Sequence, residues 1–348
     1  TGTLLAYICR GAGRDVSRKD GYIVVTLIWV IFSLFGTLPY LLSGAIPDFT
    51  DAFFETMSGF STTGSTILED IEAMPHSILF WRMMTHWVGG LGIVFFTIAV
   101  SPIFGMGDIH LFAAESAGPM RAKLHPRISV TARWLLTIYI GLTLICTLFM
   151  HVAGMGWFDS LCHSMSTVST GGFSTKQASI AAFNSPAIEY VTTLFMFMGG
   201  INLSLLYLLI FKFRVRDMYR DSEFRTYLSI VLLFTAVITA GLVFTSDMPV
   251  AESFRTALFQ VVSIQTTTGF ATANYVLWMP LLWLMLCALM FFGACSGSTS
   301  GAMKCMRISI LVKVMLNEFK RIVHPNAVIP VRMAGKIVPT GVQSAILA

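Results

Sequence analysis

The stretch that decides the fold is STTGST at residues 61–66, a short polar run inside a very apolar chain. It recurs in altered form as STGGFST at residues 169–175 and as TTTGFAT at residues 266–272. When these three polar runs are aligned on their glycines, a Thr lies two residues before each glycine and a Ser lies six before. The aligned sets are Gly64, Gly172 and Gly269; Thr62, Thr170 and Thr267; and Ser58, Ser166 and Ser263. The chain is therefore an internal repeat, and the repeat sets its architecture.

The composition places the repeat in a membrane. The chain has 348 residues, of which 55% are hydrophobic and only 12% charged, whereas soluble domains carry about 25% charged residues. Several apolar stretches reach the roughly 20 residues that cross a bilayer as a helix. The six cysteines show no metal or redox spacing, and the net charge of +5 is no sign of nucleic-acid binding, because the basic residues follow the topology.

Each polar run follows an apolar span and a short amphipathic stretch, and a glycine-bearing apolar segment follows each run. We expect an all-α membrane protein of repeated helix–re-entrant loop–helix units. The predicted division is an N-terminal helix end with a basic linker (residues 1–20), three units (21–120, 121–220 and 221–321, the last with a broken inner helix) and a linker toward a fourth unit (322–348).

Finer boundaries follow from hydropathy and from turn residues. Spans are predicted over residues 22–43, 76–104, 132–153 and 226–245, with short helices over residues 51–60, 159–168 and 256–265. Asp51 and Asp159 are the predicted caps of the first two short helices. Pro186 suits the first turn of a further span, with Asn184 or Ser185 as its cap. Two glycine pairs, 89–90 and 199–200, are expected inside spans as close-packing sites.

The basic residues predict the orientation. Of the 23 Lys and Arg residues, 20 lie in the linkers or after residue 303. The positive-inside rule then puts the linkers in the cytoplasm and the polar runs in the outer half of the bilayer, so each run must re-enter from outside. The remaining Arg82, Lys176 and Arg255 are expected to be interfacial anchors.

The polar runs suit ion coordination. Non-helical backbone survives at membrane depth only where protein buries it or water bathes it. Three equivalent Thr/Gly runs around one axis would present a ring of oxygens, which can replace the hydration shell of a small cation. Glycine permits the backbone torsions that such a ring needs. A single run of this kind would read as an ordinary outer loop, but three recurrences with matched positions favour the ring.

These sequences resemble a known family. The resemblance lies in four segments: DAFFETMSGFSTTG (51–64), FDSLCHSMSTVSTGGFST (158–175), ALFQVVSIQTTTGFAT (257–272) and FGACSGSTSGAMK (292–304). The set resembles the Trk/Ktr/HKT superfamily of potassium transporters, most closely its bacterial TrkH/TrkG branch. The resemblance implies a pore of four units in pseudo-fourfold arrangement in the bacterial inner membrane. Since only three units are found here, we expect the chain to be a fragment.

The resemblance also implies the functional residues and partners. Gly64, Gly172 and Gly269 would be the selectivity positions, and Gly64 indicates potassium because sodium-preferring plant relatives carry Ser there. Potassium would be the transported ion, with no organic cofactor. A cytosolic TrkA-like nucleotide-binding ring would gate a homodimer embedded in lipid, with no nucleic acid bound. The further oxygen donors would be Thr62, Thr63, Thr170, Gly171, Thr267 and Thr268.

A glycine-rich break at residues 293–301 interrupts the last apolar segment. Three Gly, three Ser and one Thr in nine residues disfavour a continuous helix. One interpretation is a helix contact of small residues, since the glycines have GxxxG spacing. The other, implied by the resemblance, is an intramembrane gate below the filter, with Lys304 either repelling cations or reaching the inner surface. The candidate gate residues are Gly293, Ser296, Gly297, Ser298, Thr299, Ser300, Gly301 and Lys304.

Two rival functions remain at this point. An intramembrane serine protease could use Ser296, but it would need a histidine on a facing helix, and His151 and His163 lie toward the outer side. A secondary transporter would need a carboxylate at mid-membrane, and no Asp or Glu lies at the centre of a predicted span. The protease also leaves the threefold repeat unexplained. We therefore predict a potassium-translocating subunit and no enzyme.

Overall fold

The computed structural model describes residues 18–100, 128–246, 248–324, 329–333, 336–339, 343 and 346. These residues form helices and one two-residue-long antiparallel strand pair. The helices are α1 (Arg18–Gly36), α2 (Leu38–Ser43), α3 (Phe49–Phe60), α4 (His76–Val100), α5 (Ile128–Val152), α6 (Trp157–Val168), α7 (Pro186–Gly199), α8 (Leu203–Lys212), α9 (Val215–Arg220), α10 (Ser222–Thr245), α11 (Val250–Gln265), α12 (Pro280–Leu289) and α13 (Cys305–Val323). Short 3₁₀ turns lie at Ser179–Phe183 and Tyr275–Leu277, and the strands are β1 (Arg332–Met333) and β2 (Lys336–Ile337).

Several helices are long and apolar enough to cross a bilayer. Within the described residues three stretches qualify, Thr26–Ser43, Arg133–Val152 and Ser222–Thr245, and the bent pair α7 and α8 makes a fourth if it counts as one span. Leu233 on α10 is 61% exposed and Phe244 is 87% exposed. Such an exposed apolar face is stable in contact with lipid, whereas in water it would favour aggregation.

The predicted repeat is present as a recurring order of helices. The short helices α3, α6 and α11 each end directly before a polar run, at Phe60, Val168 and Gln265. Each short helix packs against the helix that precedes it, so that α5 lies on α6 and α10 on α11. The largest apolar core joins the second and third repeats and contains the fully buried Tyr227, Phe259 and Met196. The all-α architecture expected from the sequence is therefore what the chain adopts.

The first span differs from its prediction. The sequence predicts one helix over residues 22–43, whereas α1 begins at Arg18 and the chain is interrupted at Thr37 before α2. Proline occupies the first turn of α2. Proline has no N–H to donate and its ring crowds the preceding turn, so α1 cannot continue through this point.

Both predicted aspartate caps are wrong. Asp48, not Asp51, caps α3, because its Oδ1 accepts hydrogen bonds from the Thr50 N–H at 2.8 Å and the Asp51 N–H at 3.1 Å. Asp159 lies in the first turn of α6, and its Oδ1 accepts a hydrogen bond from the Thr175 hydroxyl at 2.6 Å. A side chain at a helix start can bind an N–H of the first turn or a neighbouring loop, and only the tertiary structure decides which.

The two glycine pairs behave differently. Gly89 lies within α4, where an added Cβ would collide with the Phe60 carbonyl, so close packing is confirmed there. Gly199 and Gly200 instead end α7, and the chain turns by 107° into α8. The Asn202 side chain caps α8 by accepting from the Ser204 N–H at 2.8 Å. The helix is therefore broken at this pair, whereas the predicted close packing is present, since a Cβ added to Gly200 would lie 2.6 Å from the Tyr227 hydroxyl.

Smaller boundary differences remain. The helix before the third polar run begins at Val250, earlier than the predicted residue 256. Pro186 does begin α7, with Ser185 at the cap position but without a capping hydrogen bond from its side chain. The predicted end of the second span at residue 104 lies outside the described residues.

Candidate functional site

The three polar runs share one backbone conformation. The Thr two residues before each aligned glycine has a left-handed φ, 54° at Thr62, 54° at Thr170 and 58° at Thr267. The aligned glycines are also left-handed, at 78°, 87° and 82° in chain order. A β-branched residue rarely adopts a positive φ, because its side chain crowds the backbone. Three recurrences of the same strained conformation indicate one structural device used three times.

The same hydrogen bonds hold each run to its short helix. In every run the N–H of the residue before the glycine donates to the carbonyl of the Ser six residues before the glycine, at 2.9 Å. In the first and third runs the hydroxyl of that Ser also donates to the carbonyl just after the glycine, Ser58 to Ser65 at 2.6 Å and Ser263 to Phe270 at 2.7 Å. In these two runs the recurring Ser thus fastens both limbs of the turn to the helix, whereas the Ser166 hydroxyl of the second run bonds the His86 ring at 3.2 Å.

We expect Ser263→Ala to destabilise the protein by about 1–2 kcal/mol, because the buried Phe270 carbonyl loses its hydroxyl donor. Thermal unfolding in detergent measures this loss. Thr245→Ala is the matched control, since the Thr245 hydroxyl also donates to a backbone carbonyl but is exposed at the end of α10. Equal losses in the two variants would contradict a structural role for Ser263.

Neighbouring polar runs contact each other through equivalent residues. A Cβ added to Gly64 would collide with the Gly171 carbonyl oxygen, and one added to Gly172 would collide with the Thr268 carbonyl oxygen. Gly171 and Thr268 are equivalent positions, so the step from the first run to the second is repeated from the second to the third. A Cβ added to Gly269 would meet no atom of the described residues within 4 Å.

Sequence reasoning missed a second recurring position, nine residues before each glycine. It holds Glu55, His163 and Gln260, and each supports the chain just beyond its own glycine. Glu55 accepts from the Thr66 hydroxyl at 2.9 Å and the Ile67 N–H at 3.1 Å. The His163 ring bonds the Ser174 hydroxyl at 2.9 Å. With its amide oxygen facing the loop, Gln260 accepts from two backbone N–H groups, of Thr272 at 3.0 Å and Ala273 at 3.3 Å. The signal was in the alignment: a polar residue recurs at this offset.

Arg82 is not the interfacial anchor that the sequence predicts. Its side chain is fully buried on α4 and forms an ion pair with Glu55 at 2.7 Å. Lys176 and Arg255 lie nearer the surface, where they pair with Glu72 at 3.2 Å and Glu189 at 2.8 Å. The prediction for Arg82 fails because hydropathy shows that a charge lies in an apolar helix but not which side of the helix faces protein.

The glycine-rich break is a loop rather than a helix contact. Between α12 and α13 the chain is non-helical, with a left-handed φ of 70° at Gly297. Phe292 and Met303 pair across its two ends, and the Gly293 N–H donates to the Met303 carbonyl at 2.9 Å. The GxxxG interpretation needs the three glycines on one helical face, so it is wrong.

The break touches the second and third polar runs. The Thr299 hydroxyl accepts from the Thr170 hydroxyl at 3.2 Å and lies within donating distance of the Val168 carbonyl at 3.1 Å. The Gly301 N–H donates to the Thr267 hydroxyl at 2.7 Å. Thr170 and Thr267 are the left-handed threonines of their runs, so the break meets the runs at their most constrained residues.

A buried carboxylate holds the other side of the break. Glu223, at the start of α10 and only 1% exposed, accepts from the Ser296 N–H at 2.6 Å and the Ser296 hydroxyl at 2.8 Å. The Met306 N–H donates to the same oxygen at 3.3 Å. Lys304 turns back onto Ser300, whose carbonyl accepts a hydrogen bond from its ammonium. Within the described residues, no group of three or more His, Cys, Asp or Glu side chains could hold a metal ion.

Comparison with known proteins decides the family. The family described as "TrkH: Cation transport protein" matches residues 1–346. The chain belongs to the TrkH family. Its all-α membrane fold of repeated helical units and its identity as a transporter rather than an enzyme follow from this membership. The serine protease alternative is therefore wrong, and in the structure the Ser296 hydroxyl donates to Glu223 rather than to a histidine.

Similar TrkH-family proteins align over nearly the whole chain. The "Trk system potassium uptake protein TrkH" of Halomonas elongata is 40% identical over 99% of this chain and 72% of its own length. The protein of the same name from Escherichia coli K12 is 38% identical over the same shares, and "Trk system potassium uptake protein TrkG" of that organism is 35% identical over 95% of this chain and 69% of its own. The crystal structure of the potassium transporter TrkH from Vibrio parahaemolyticus superposes with a TM-score of 0.89 at 34% identity, covering 99% of this chain and 72% of that one.

Proposed function

We propose that the chain is the membrane subunit of a bacterial potassium uptake system, which passes potassium through a channel-like pore in the inner membrane. The observation that carries this proposal is the set of three polar runs, which share left-handed Thr and Gly residues and abut through carbonyl oxygens. Backbone and hydroxyl oxygens held in a ring can replace the water shell of potassium. The similar proteins named above are potassium uptake proteins, which supports this choice of ion.

The filter would be built from equivalent residues of each unit. Its proposed members are Thr62, Thr63, Gly64, Thr170, Gly171, Gly172, Thr267, Thr268 and Gly269. Residues 21–120, 121–220 and 221–321 would be three units of a pseudo-fourfold ring. The open side of Gly269 among the described residues and the partial exposure of the first run support a fourth member between the third and the first.

The glycine-rich break would be the gate. Its residues contact the left-handed threonines of two runs, and Glu223 holds it at the opposite side. Small polar residues suit a segment that must both obstruct and vacate a wet pathway. If Ser296 moved away from Glu223, the break would lose its attachment to α10 and could then move away from the filter.

A cytosolic nucleotide-binding ring protein would drive that movement. Helix α13 follows the break and carries four basic residues, which the positive-inside rule places on the cytoplasmic side. A regulator that shifts α13 would therefore act on the break directly. The assembly would be a homodimer, and potassium the transported ion with no organic cofactor.

The test is Gly64→Ser in the full-length protein. We expect the ratio of potassium to sodium flux to fall roughly tenfold, about 1.4 kcal/mol in differential ion binding, because a side chain at this left-handed position presses on the Gly171 carbonyl. Ion-replacement flux in proteoliposomes measures the ratio. Gly44→Ser is the matched control: Gly44 has a φ of 70° but nothing within 4 Å of an added Cβ. An unchanged ratio in Gly64→Ser would reject the filter assignment.

A further inference from the structure

An ion pair between Arg82 and Glu55 lies buried beside the first two polar runs. Both side chains are fully buried, Arg82 on α4 and Glu55 on the short helix α3, with 2.7 Å between Nε and Oε1. Two charges removed from water are costly unless each is well partnered. The groups that partner them therefore show what the pair holds in place.

On one side the pair holds the first polar run. Glu55 accepts hydrogen bonds from the Thr66 hydroxyl and from the Ile67 N–H, through one carboxylate oxygen each. Thr66 and Ile67 lie two and three residues beyond Gly64. The carboxylate thus fixes the outgoing limb of the first run while it binds Arg82.

On the other side the pair holds the second polar run. The Arg82 Nη1 donates to the Ser174 carbonyl at 3.1 Å, and its guanidinium carbon lies 4.0 Å from the centre of the Phe173 ring. Phe173 and Ser174 directly follow Gly172, the residue aligned with Gly64. His86, one helical turn after Arg82, also stacks on Phe173, with 4.0 Å between the two ring centres.

The equivalent positions do not make an ionic connection of this kind. Of the two residues aligned with Glu55, Gln260 bonds the outgoing limb of its own run. His163 bonds the outgoing limb of its own run and the Asp159 carbonyl, and its ring centre lies 5.9 Å from that of Phe270, which follows Gly269 in the third run. Glu55 alone of the three carries a charge, and through Arg82 it reaches a neighbouring run. The ion-paired form of this link is therefore specific to the first of the three aligned positions.

We propose that Arg82 is a positioning residue that determines ion selectivity by fixing the separation between the first and second polar runs. This inference rests on the proposed filter function. A ring of oxygens discriminates between potassium and sodium through the number and spacing of the oxygens that reach the ion. The guanidinium binds the second run directly and the first run through Glu55. It therefore resists their approach around a smaller ion, because its planar fork has fixed geometry.

The test is the double variant Glu55→Gln with Arg82→Met. Gln is the native residue at the equivalent position of the third repeat, so it can support the first run locally. Met is flexible and packs well against an aromatic ring such as Phe173, and with both charges removed no buried charge is left unpaired. We expect potassium transport to persist while the potassium-to-sodium permeability ratio, from ion-replacement flux, falls about tenfold.

Two further variants separate positioning from general stability. Arg82→Lys keeps the charge but loses the fork, so we expect an intermediate ratio; it also carries the test if the double variant is poorly produced. Glu189→Gln with Arg255→Met removes a comparable Arg–Glu pair at 2.8 Å, which joins α7 to α11 outside the polar runs. This control should leave the ratio unchanged.

The outcomes distinguish this inference from the filter on which it rests. A normal ratio in both the double variant and Arg82→Lys, with a reduced ratio in Gly64→Ser, overturns the role of Arg82 and leaves the filter standing. A normal ratio in all of them, Gly64→Ser included, overturns both. An equal fall in the Glu189 and Arg255 control also overturns the inference, since the effect would then be one of general stability.

Discussion

Gly172→Ala is expected to reduce potassium transport by about tenfold or more, with the protein still produced in the membrane. Gly172 has a φ of 87°, which costs any residue with a side chain about 1–2 kcal/mol. Its added Cβ would also collide with the Thr268 carbonyl oxygen. That carbonyl cannot retreat easily, because the Thr268 N–H is bonded to the Ser263 carbonyl and its hydroxyl to Thr266. Uptake of a potassium tracer into proteoliposomes measures the loss.

The control for this variant is Gly154→Ala. Gly154 has a φ of 106° and nothing within 4 Å of an added Cβ, so it shares the backbone strain without the contact between runs. We expect its transport to stay near that of the unsubstituted protein, with only a small loss of stability. Normal transport in Gly172→Ala, or equal losses in both variants, would show that the contact between the second and third runs does not shape the pathway.

Deleting residues 297–300 is expected to raise ion leak by about tenfold, the change produced by shifting a closed–open equilibrium by about 1.4 kcal/mol. The deletion removes Thr299, whose hydroxyl bonds reach the second run, and Ser300, which binds Lys304. The pairing of Phe292 with Met303 at the ends of the break lies outside the deletion, so α12 and α13 remain joined at that point. Flux measured without the regulatory partner reports the leak.

A milder variant and its control accompany the deletion. Thr299→Val keeps the size of the side chain but loses the hydroxyl that connects to Thr170 and Val168, so we expect a smaller rise in leak. Thr192→Val removes a buried hydroxyl that bonds only within α7, to the Ile188 carbonyl, and should leave the leak unchanged. If the deletion variant folds and reaches the membrane but passes no ions, the break is a packing element rather than a gate.

These predictions share one structural basis, since the break and the polar runs are connected directly. Gly301 donates to Thr267, and Thr299 connects to Thr170. Motion of the break would therefore act on the left-handed threonines of two runs without a long intervening pathway. Because Glu223 binds Ser296 on the far side, the break is held between a fixed helix start and the runs.

The amino-acid sequence by itself determined the class of the protein and the position of its repeats. Low charge and long apolar stretches suffice for a helical membrane protein, because every backbone polar group in lipid must be satisfied within a helix. The aligned glycines at 64, 172 and 269 located three turns that prove to have the same left-handed torsions. Glycine and its preceding Thr are local signals, so a linear alignment finds them.

Only the tertiary structure decided which polar side chains support those turns. Arg82 and Glu55 lie 27 residues apart, and Glu223 and Ser296 lie 73 apart, so neither pair leaves a local pattern. The caps at Asp51 and Asp159 and the continuity of the helix at Gly199 were mispredicted for the same reason: each depends on which neighbour offers the better hydrogen bond or the closer packing. A charged residue in an apolar helix indicates that a partner exists. Because the partner is distant along the chain, only the packing of the helices shows which residue it is.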